Sequence, residues 1–561
     1  MKKLGLYILL ASFVFCGVYV GKTTMDYTIT TRNLVWIACT IILFVSISMR
    51  AINGEAIDLS IGGRLIFVLF LGLAFISILS LTRAANIGEG IYESCRWFVM
   101  AVCLFVTAVT LNENNINKAI KVIILLALGL GIFGIYQYFK MPANPATRIG
   151  TMANMNLCSS SHLLMIPFSV YAIMRYSKIW KILGLITVVT ALFIILFSLR
   201  TRSTWVAMSI GLLAATFHRK KMLIASLAII IVMGISIYAV KGERIFSTSS
   251  MKQRKDLWSQ SLVMAKDHPL GVGSANWRVV IPFYSRYFSD TTREVAFKTI
   301  YFQRPHNDWV WVITELGVFG IALYVGVFLM GLYYAIKSRN PFLYAGIVAY
   351  IVIAMFSFPK ERTFHTFIIL IYLALSIKLY HKPIPLNLSR RTMYLTSLAV
   401  LSVLTFSAYV FCERYYTEKG IYRAIHAKMK KDWKNVYKET EYVSKYSTLD
   451  SYGTPIEYYK GISNYQRGRY DDALDNFKQA IKENPNHIYV LMNLGACYVI
   501  HQQFQEAKKC YEKVIHLYPD YEHAKVCYEA TAKSIKAKGT NNEKGNVINN
   551  PVIVSPTTGK S

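Results

Sequence analysis

The sequence RLIFVLFLGLAFISILSL occupies residues 64–81, and no charged side chain follows its first arginine. An α-helix rises about 1.5 Å per residue, so a run of this length reaches across most of a hydrocarbon layer about 30 Å thick. Lipid offers the backbone no hydrogen-bonding partner, and such an apolar run is therefore expected to be helical. This stretch predicts a membrane-spanning helix.

Similar apolar runs recur over the first 412 residues of this 561-residue chain, in which 54% of the residues are hydrophobic and 17% are charged. The runs lie at residues 4–20, 33–49, 64–81, 96–111, 119–139, 160–174, 182–199, 203–217, 222–240, 307–335, 341–358, 364–380 and 394–412. The predicted fold is therefore all-α. A polytopic transmembrane bundle of 12–13 spans forms residues 1–412, and a second helical domain follows it.

Positive charges predict how the spans are oriented. With the N-terminus in the cytoplasm, the dense basic clusters at residues 175–181 and 218–221 both face inside, as the positive-inside rule expects. Thirteen spans then place a long loop, residues 241–305, and everything after residue 412 on the extracytoplasmic face. Twelve spans would move the C-terminal domain to the other face.

The net charge of +31 comes largely from segments between spans. No basic stripe with interleaved aromatic residues occurs on a soluble segment, so a nucleic acid is not an expected partner. Loops that contact anionic membrane lipids are the better interpretation. The nine cysteines form neither a CxxC pair nor a cluster with histidine, and we expect no metal site, disulfide framework or cofactor.

A 34-residue period appears in the C-terminal part of the chain. Small residues, an aromatic residue and a proline recur at this offset: Gly461, Ala473, Phe477 and Pro485 match Gly495, Ala507, Tyr511 and Pro519. This period is typical of tetratricopeptide repeats, in which small residues lie where two helices cross and an aromatic ring fills the groove.

The repeats define the rest of the predicted organisation. Residues 413–537 form the repeat domain, with a degenerate first repeat at 418–447 and a capping helix at 521–537. The tail, residues 538–561, has little to bury and is expected to be disordered. Such a domain binds a protein partner or serves as a packing platform for the membrane part, and the sequence leaves both open.

Charged residues within or beside spans mark the candidate site, because a charge in lipid is costly. They lie in LRTRSTWVA at 199–207, in QRKDLWSQSLVMAKDHPLGVGSANW at 253–277 and in RPHNDWVWVITELGVFG at 304–320. The polar residues singled out are Arg200, Arg202, Arg254, Arg304, His306, Asn307 and Glu315. The predicted topology puts four of them on one face of the membrane: Arg202, Arg254, Arg304 and His306.

These residue types suit one chemistry. Guanidinium groups are permanently charged and pair with phosphate oxygens in a fork, so two or three of them can hold a diphosphate. A neutral histidine can take the proton of an attacking hydroxyl. If the diphosphate is the leaving group, the arginines stabilise the departing charge and no metal is required. The alternative is that the arginines anchor span ends at the headgroups and that the histidine is structural.

In these segments the sequence resembles the O-antigen ligase/polymerase superfamily of bacterial membrane glycosyltransferases, which also includes members with C-terminal tetratricopeptide repeats. The residues that carry the resemblance are Arg202-Ser203-Thr204-Trp205, Arg254 with Trp258, the turn His268-Pro269-Leu270-Gly271-Val272-Gly273, His306-Asn307 with Glu315, Gly317 and Gly320, and Asn156 in GTMANMNLCSSSHLL. The similarity extends over residues 60–380.

The resemblance implies transfer of a glycan from an undecaprenyl-diphosphate carrier to an acceptor hydroxyl, with inversion, at the periplasmic face of the bacterial inner membrane. It implies that Arg202 and Arg254 bind the diphosphate and that His306 activates the acceptor. Residues expected to bind substrate are Arg200, Arg304, Asn307, Glu315 and Asn156. The sequence departs from the family in RTRST, so Arg200 could take the role of Arg202.

The residues leave the acceptor open. It is a lipid A core sugar, as in lipopolysaccharide biosynthesis, a growing glycan, as in a polymerase, or a protein hydroxyl. A non-enzymatic transporter of lipid-linked glycan, with the repeats as a docking module, is the competing class of protein. Transporters often contain internal repeats in their spans, and none is visible here. A membrane-anchored scaffold would leave the charges in the spans unexplained.

Overall fold

The computed structural model describes residues 2–57, 59, 61–141, 147–241, 249–298, 302–380 and 388–539. Within these ranges the secondary structure is helical, and the only β pairing is an isolated bridge between Leu449 and Pro455. The prediction of an all-α fold is confirmed. From residue 540 onward, the tail predicted to be disordered lies outside the described residues.

Each predicted apolar segment overlaps one helix, in chain order. These helices are α1 (Lys2–Val18), α2 (Thr30–Ile52), α3 (Ile61–Ser80), α4 (Ile87–Thr110), α5 (Glu113–Lys140), α6 (Met155–Arg175), α7 (Lys178–Phe193), α8 (Arg202–Thr216), α9 (Lys220–Lys241), α13 (Asp308–Lys337), α14 (Pro341–Phe356), α15 (Thr363–Tyr380) and α16 (Arg390–Met429). A π-helical turn, Ile194–Leu199, extends α7 toward α8.

In the described part of the chain, nine helices are long and apolar enough to cross a membrane. Helices α1, α8 and α14 are shorter, with 17, 15 and 16 residues, and several side chains of α9 lie outside the described set. Helix α15 lies at the centre of the bundle, since all its residues from Thr363 to Ile377 are buried against neighbours that include α4 and α13. The chain is a multi-pass membrane protein.

The long loop between α9 and α13 contains three helices within its described residues. It contains α10 (Ser249–Asp267), α11 (Trp277–Tyr284) and α12 (Asp290–Lys298). The amphipathic stretch predicted before the Pro/Gly turn corresponds to α10. Between α10 and α11 the turn contains Gly271 and Gly273, both with positive φ.

Helix α16 is continuous over 40 residues and passes through residue 412, where the sequence predicts the membrane domain to end. At 1.5 Å per residue it is about 60 Å long, roughly twice the thickness of the hydrocarbon layer. Its buried residues begin at Leu404, so the second half of the helix packs against protein.

The C-terminal helices pair as the repeat pattern predicts. They are α17 (Trp433–Thr440), α18 (Ile456–Gln466), α19 (Tyr470–Glu483), α20 (Ile488–Ile500), α21 (Phe504–Leu517) and α22 (Glu522–Gly539). A Cβ at Gly461 would lie 2.6 Å from the Phe477 ring, and one at Gly495 would lie 2.7 Å from the Tyr511 ring. The small residues therefore lie where an aromatic ring enters the crossing.

The repeat helices pack on the loop between α9 and α13. Arg293 Nη1 lies 3.0 Å from Asp520 Oδ2, and Ser285 Oγ donates to the Leu517 carbonyl at 3.0 Å. In addition, Asn486 Nδ2 donates to a backbone carbonyl of α11 at 3.0 Å. Loop and repeats thus lie on the same face of the helical bundle.

Candidate active site

Helix α13 is broken at Gly317, where φ is +68° and ψ is −164°. The break leaves the backbone N–H of Val318 and the carbonyls of Thr314 and Glu315 without their helical partners, and the turn after α10 supplies new ones. Val318 N donates to the Pro269 carbonyl at 3.0 Å. In the other direction, the N–H groups of residues 272 and 273 donate to the carbonyls of Thr314 and Glu315 at 2.9 and 3.1 Å.

This pairing needs glycine on both sides. A Cβ at Gly271 would lie 2.3 Å from the Glu315 carbonyl oxygen, and one at Gly317 would lie 2.4 Å from the Leu270 carbonyl carbon. Both positions also have positive φ, which glycine adopts without steric cost. The HPLGVG turn and the break in α13 are therefore two halves of one backbone joint that holds the long loop against the bundle.

Glu315 lies beneath this joint and is 3% exposed. Its Oε1 accepts hydrogen bonds from the Trp277 backbone N–H at 3.2 Å and from Trp311 Nε1 at 2.7 Å. Both partners belong to the protein, so the geometry gives Glu315 a direct part in holding α11 against α13. Its predicted contact with substrate remains a prediction.

His306 stands directly before α13 in a left-handed conformation, with φ +55°. Asn307 caps the helix, because its side-chain oxygen accepts from the N–H groups of Trp309 and Val310. Trp258 of α10 holds the segment just before α13 by donating from Nε1 to the Pro305 carbonyl at 2.7 Å. These contacts tie the histidine backbone to both the loop and the bundle.

The His306 ring packs on Phe358, with 5.2 Å between ring centroids. Burial, together with the nearby charges of Arg254 and Arg304, lowers the pKa of His306 to about 3. Neither ring nitrogen has a hydrogen-bond partner among the described residues. At neutral pH this imidazole is therefore uncharged.

Arg202 and Arg254 come from different elements. Arg202 is the first residue of α8, and Arg254 lies on α10. Burial and the charge of Arg202 lower the pKa of Arg254, which shows that the two cations lie near each other. Arg254 forms no ion pair with a carboxylate in the described part of the chain. Arg254, within reach of the charge of Arg202 and of a neutral histidine, forms a site suited to an anion.

Arg304 has a different environment. It pairs with Glu361, approaches Asp26 at 3.8 Å and stacks over Phe358, with its guanidinium carbon 4.8 Å from the ring centroid. Burial opposes ionisation of Glu361 and Asp26, but the neighbouring arginines outweigh it and keep the pKa of both carboxyl groups below the usual value. The charge of Arg304 is thus already balanced within the protein.

The two remaining predicted residues lie at helix ends. Arg200 is exposed, has φ +54° and donates from Nε to the Phe197 carbonyl at 3.0 Å, closing the π-helical turn. Asn156 is the second residue of α6, and the cap of that helix is Asn154, whose side chain accepts from the Asn156 N–H at 2.8 Å. No described contact joins either residue to His306 or Arg254.

Sequence reasoning missed the charged loop between α14 and α15 and its partner in the first loop of the chain. Arg362 Nη1 lies 3.1 Å from Asp26 Oδ2, and Lys360 Nζ lies 3.5 Å from Glu93 Oε1. The available signal was the run PKER at residues 359–362 between two apolar segments. The rule that singled out Arg202, a charge between two closely spaced spans, applies equally to this run.

Fold and site together define a multi-pass membrane protein with a cationic site next to a neutral histidine. A family model described as O-antigen ligase matches residues 187–325, a range that contains Arg202, Arg254, His306 and Glu315. A tetratricopeptide repeat model matches residues 464–526. No curated protein matches the chain significantly. The resemblance to this ligase family with C-terminal repeats is confirmed, and it supports a membrane glycan-transfer or polymerase function.

Proposed function

We propose that the protein transfers a glycan from an undecaprenyl-diphosphate carrier to an acceptor hydroxyl at the periplasmic face of a bacterial inner membrane. The observation that carries this proposal is the pair Arg202 and Arg254 beside an uncharged His306. Arg254 has no carboxylate partner in the described part of the chain, and together with Arg202 it can therefore pair with an anionic group of the donor. An uncharged imidazole fits a base.

In the proposed reaction the acceptor oxygen attacks the anomeric carbon of the glycan, and His306 takes the hydroxyl proton. The bond between the anomeric carbon and the diphosphate oxygen breaks, and the leaving group departs with the electron pair. Arg202 and Arg254 stabilise the negative charge that develops on it, so the step requires no metal. A single displacement inverts the anomeric configuration.

Donor binding also prepares the base. The pKa of His306 is low partly because Arg254 and Arg304 repel its proton. A bound diphosphate adds negative charge beside Arg254 and offsets this repulsion, which raises the proton affinity of the imidazole. His306 therefore becomes a better base when the donor is in place.

The test is a transfer assay on the detergent-purified full chain with an undecaprenyl-diphosphate glycan. Candidate acceptors are a lipid A core, a second glycan and a periplasmic protein extract. We expect transfer by the wild type and loss of transfer in Arg254→Ala and His306→Ala. Arg175→Ala is the matched control, because Arg175 ends α6 on the opposite face of the bundle.

Mass analysis of the product identifies the acceptor and separates ligase, polymerase and protein-modifying reactions. Normal transfer by both site variants contradicts the mechanism. Donor binding by the wild type without transfer to any acceptor contradicts the enzymatic function and favours a transporter of lipid-linked glycan. Thermal unfolding of each variant checks that the loss is not a loss of fold.

A further inference from the structure

Helix α16 contains an uncharged run, residues 392–412, that lies between Arg391 and Glu413. At about 1.5 Å per residue this run is about 30 Å long, which equals the thickness of the hydrocarbon layer. The buried residues of the helix begin only at Leu404, and Leu395 is more than half exposed. The run therefore faces lipid, and Glu413 marks the level at which α16 leaves the hydrocarbon layer.

A short segment of the C-terminal part of the chain contacts this run. It is YVSKY, residues 442–446, between α17 and α18. The Tyr446 ring packs on the rings of Phe406 and Tyr409, with 5.9 Å between the centroids in each pair. Both partners belong to the uncharged run, and Phe406 lies about two helical turns before Glu413. Tyr446 therefore reaches the level of the hydrocarbon layer.

The segment is held at this level by two membrane-spanning helices. The Tyr442 hydroxyl donates to the carboxylate of Glu413 in α16. On the other side, the Lys445 carbonyl lies against the first turn of α4, where a Cβ at Gly88 would lie 2.2 Å from the carbonyl oxygen. The first turn of a spanning helix lies near the membrane surface. Contacts with both α4 and α16 thus place the segment at this surface.

The exposed side chains of the segment are of the types that occur at membrane surfaces. Tyr442 is 57% exposed, and Tyr416, about one turn beyond Glu413, is 63% exposed. Tyrosine is enriched at this depth, because its ring is apolar and its hydroxyl is polar. Lys445 is exposed, with Nζ 5.1 Å from the Tyr446 ring centroid, and pairs with no carboxylate in the described part of the chain. Its long apolar stem allows the ammonium group to reach a lipid phosphate.

We propose that residues 442–446 form a membrane-contact surface whose partner is the phospholipid headgroup layer. The Tyr442 ring lies among the headgroups, and Lys445 pairs with a lipid phosphate. The C-terminal part of the chain is thereby held against the bilayer as well as against the long loop. This contact is independent of the transferase reaction.

The first measurement is photocrosslinking of the full chain in nanodiscs of phosphatidylethanolamine and phosphatidylglycerol, with p-benzoylphenylalanine in place of Tyr442. The matched control carries the same residue in place of Tyr470, which is 37% exposed and begins α19. The other end of α19 contacts the bundle, since Asn86 Nδ2 donates to the Glu483 carbonyl at 3.1 Å. Tyr470 lies about 20 Å along the helix from this contact. We expect at least ten times more phospholipid adduct, measured by mass spectrometry, at position 442 than at position 470.

The second measurement preserves the hydrogen bond between Tyr442 and Glu413, which the first substitution removes. A lysine analogue with a diazirine group replaces Lys445, and its control replaces Lys509, an exposed lysine of α21. The same tenfold excess of phospholipid adduct is expected at position 445 over position 509.

A tenfold excess at either tested position supports the membrane contact. Yields that stay below ten times the control value at both positions overturn it. The same variants irradiated in native membranes test for a protein partner, and adducts at both positions that contain another protein and no phospholipid also overturn it. Because the measurement involves no glycan transfer, its result is separate from that of the transferase assay.

Discussion

The two arginines that flank His306 in space differ in what surrounds them. Arg304 has Glu361 and Asp26 as partners, whereas Arg254 has no carboxylate partner in the described residues and lies near Arg202. A charge that the protein already balances contributes to the fold. A charge that it leaves unbalanced is free for a ligand, and the two side chains should therefore respond oppositely to removal.

Arg254→Ala is expected to lower kcat/KM about 10²–10³-fold, the usual effect of losing one charge-stabilising donor. Its unfolding temperature should stay the same or rise, because repulsion from Arg202 is removed. Arg304→Ala should instead cost about 1–3 kcal/mol of stability, since it leaves two carboxylates with Arg362 alone. Thermal unfolding and transfer kinetics of both variants check the contrast, and a strongly destabilised Arg254→Ala would contradict it.

The pKa of His306 predicts a pH dependence. In the free protein the imidazole stays neutral down to about pH 3, so kcat/KM should show no acid limb near 6.5 from this group. Donor binding raises the pKa, so the acid limb of kcat should lie at higher pH than that of kcat/KM. Profiles of kcat and kcat/KM for the wild type test this, and an acid limb near 6.5 in kcat/KM would refute it.

The lowered pKa of His306 also makes the stability of the folded protein depend on pH. The direction follows from the proton that the unfolded state takes up. Below about 6.5 an unfolded histidine binds a proton that His306 in the folded protein refuses. Stability contributed by the neutral imidazole is therefore present above this pH and is lost as the pH falls toward 3. His306→Gln should reduce the acid sensitivity of the unfolding temperature over that interval.

At the scale of elements, the joint between the HPLGVG turn and the break in α13 is the most restrictive feature. Gly317→Ala or Gly271→Ala places a Cβ against backbone atoms at a positive φ, and each should cost about 1–3 kcal/mol. Gly326→Ala in the same helix is the control, because its Cβ would meet Leu69 at an ordinary 3.6 Å. Equal unfolding temperatures for Gly317→Ala and Gly326→Ala would show that the joint is not rigid.

The helices of the bundle could be predicted from the sequence, whereas the break in α13 and the long-range contacts could not. Hydrophobic runs predict the helices of the bundle, because lipid requires each span to satisfy its own backbone. The break at Gly317 depends on the turn 269–273 and is invisible in hydropathy alone. Likewise, Asp26 joins Arg304 and Glu361 from the first loop of the chain, and a single sequence contains no signal for such a long-range contact.

At the scale of the whole molecule, Glu89 connects the bundle to α16 through Arg414 and to the long loop through Arg278 of α11. Glu89→Gln leaves two largely buried guanidiniums underpaired and should destabilise the protein by about 3–5 kcal/mol. Adding Arg414→Met should recover part of this loss. Glu522→Gln, which breaks an exposed pair with Lys525, should change stability by less than about 1 kcal/mol.

Limited proteolysis of the segment between α17 and α18 reports whether the C-terminal helices stay docked in these variants. Faster cleavage in Glu89→Gln and partial recovery in the double variant are the expected results. If Glu89→Gln unfolds and is cleaved like the wild type, the ion pairs do not hold the two parts together.

The unbroken length of α16 couples the site to the bilayer itself. The helix begins at Arg390, and its second half places Arg414 against Glu89 and Glu418 against Thr30. A tilt of about 5° in a rod about 60 Å long displaces its tip by about 5 Å. Because helices adjust their tilt to the thickness of the surrounding lipid, a change in bilayer thickness would move Arg414 and Glu418 relative to their partners Glu89 and Thr30.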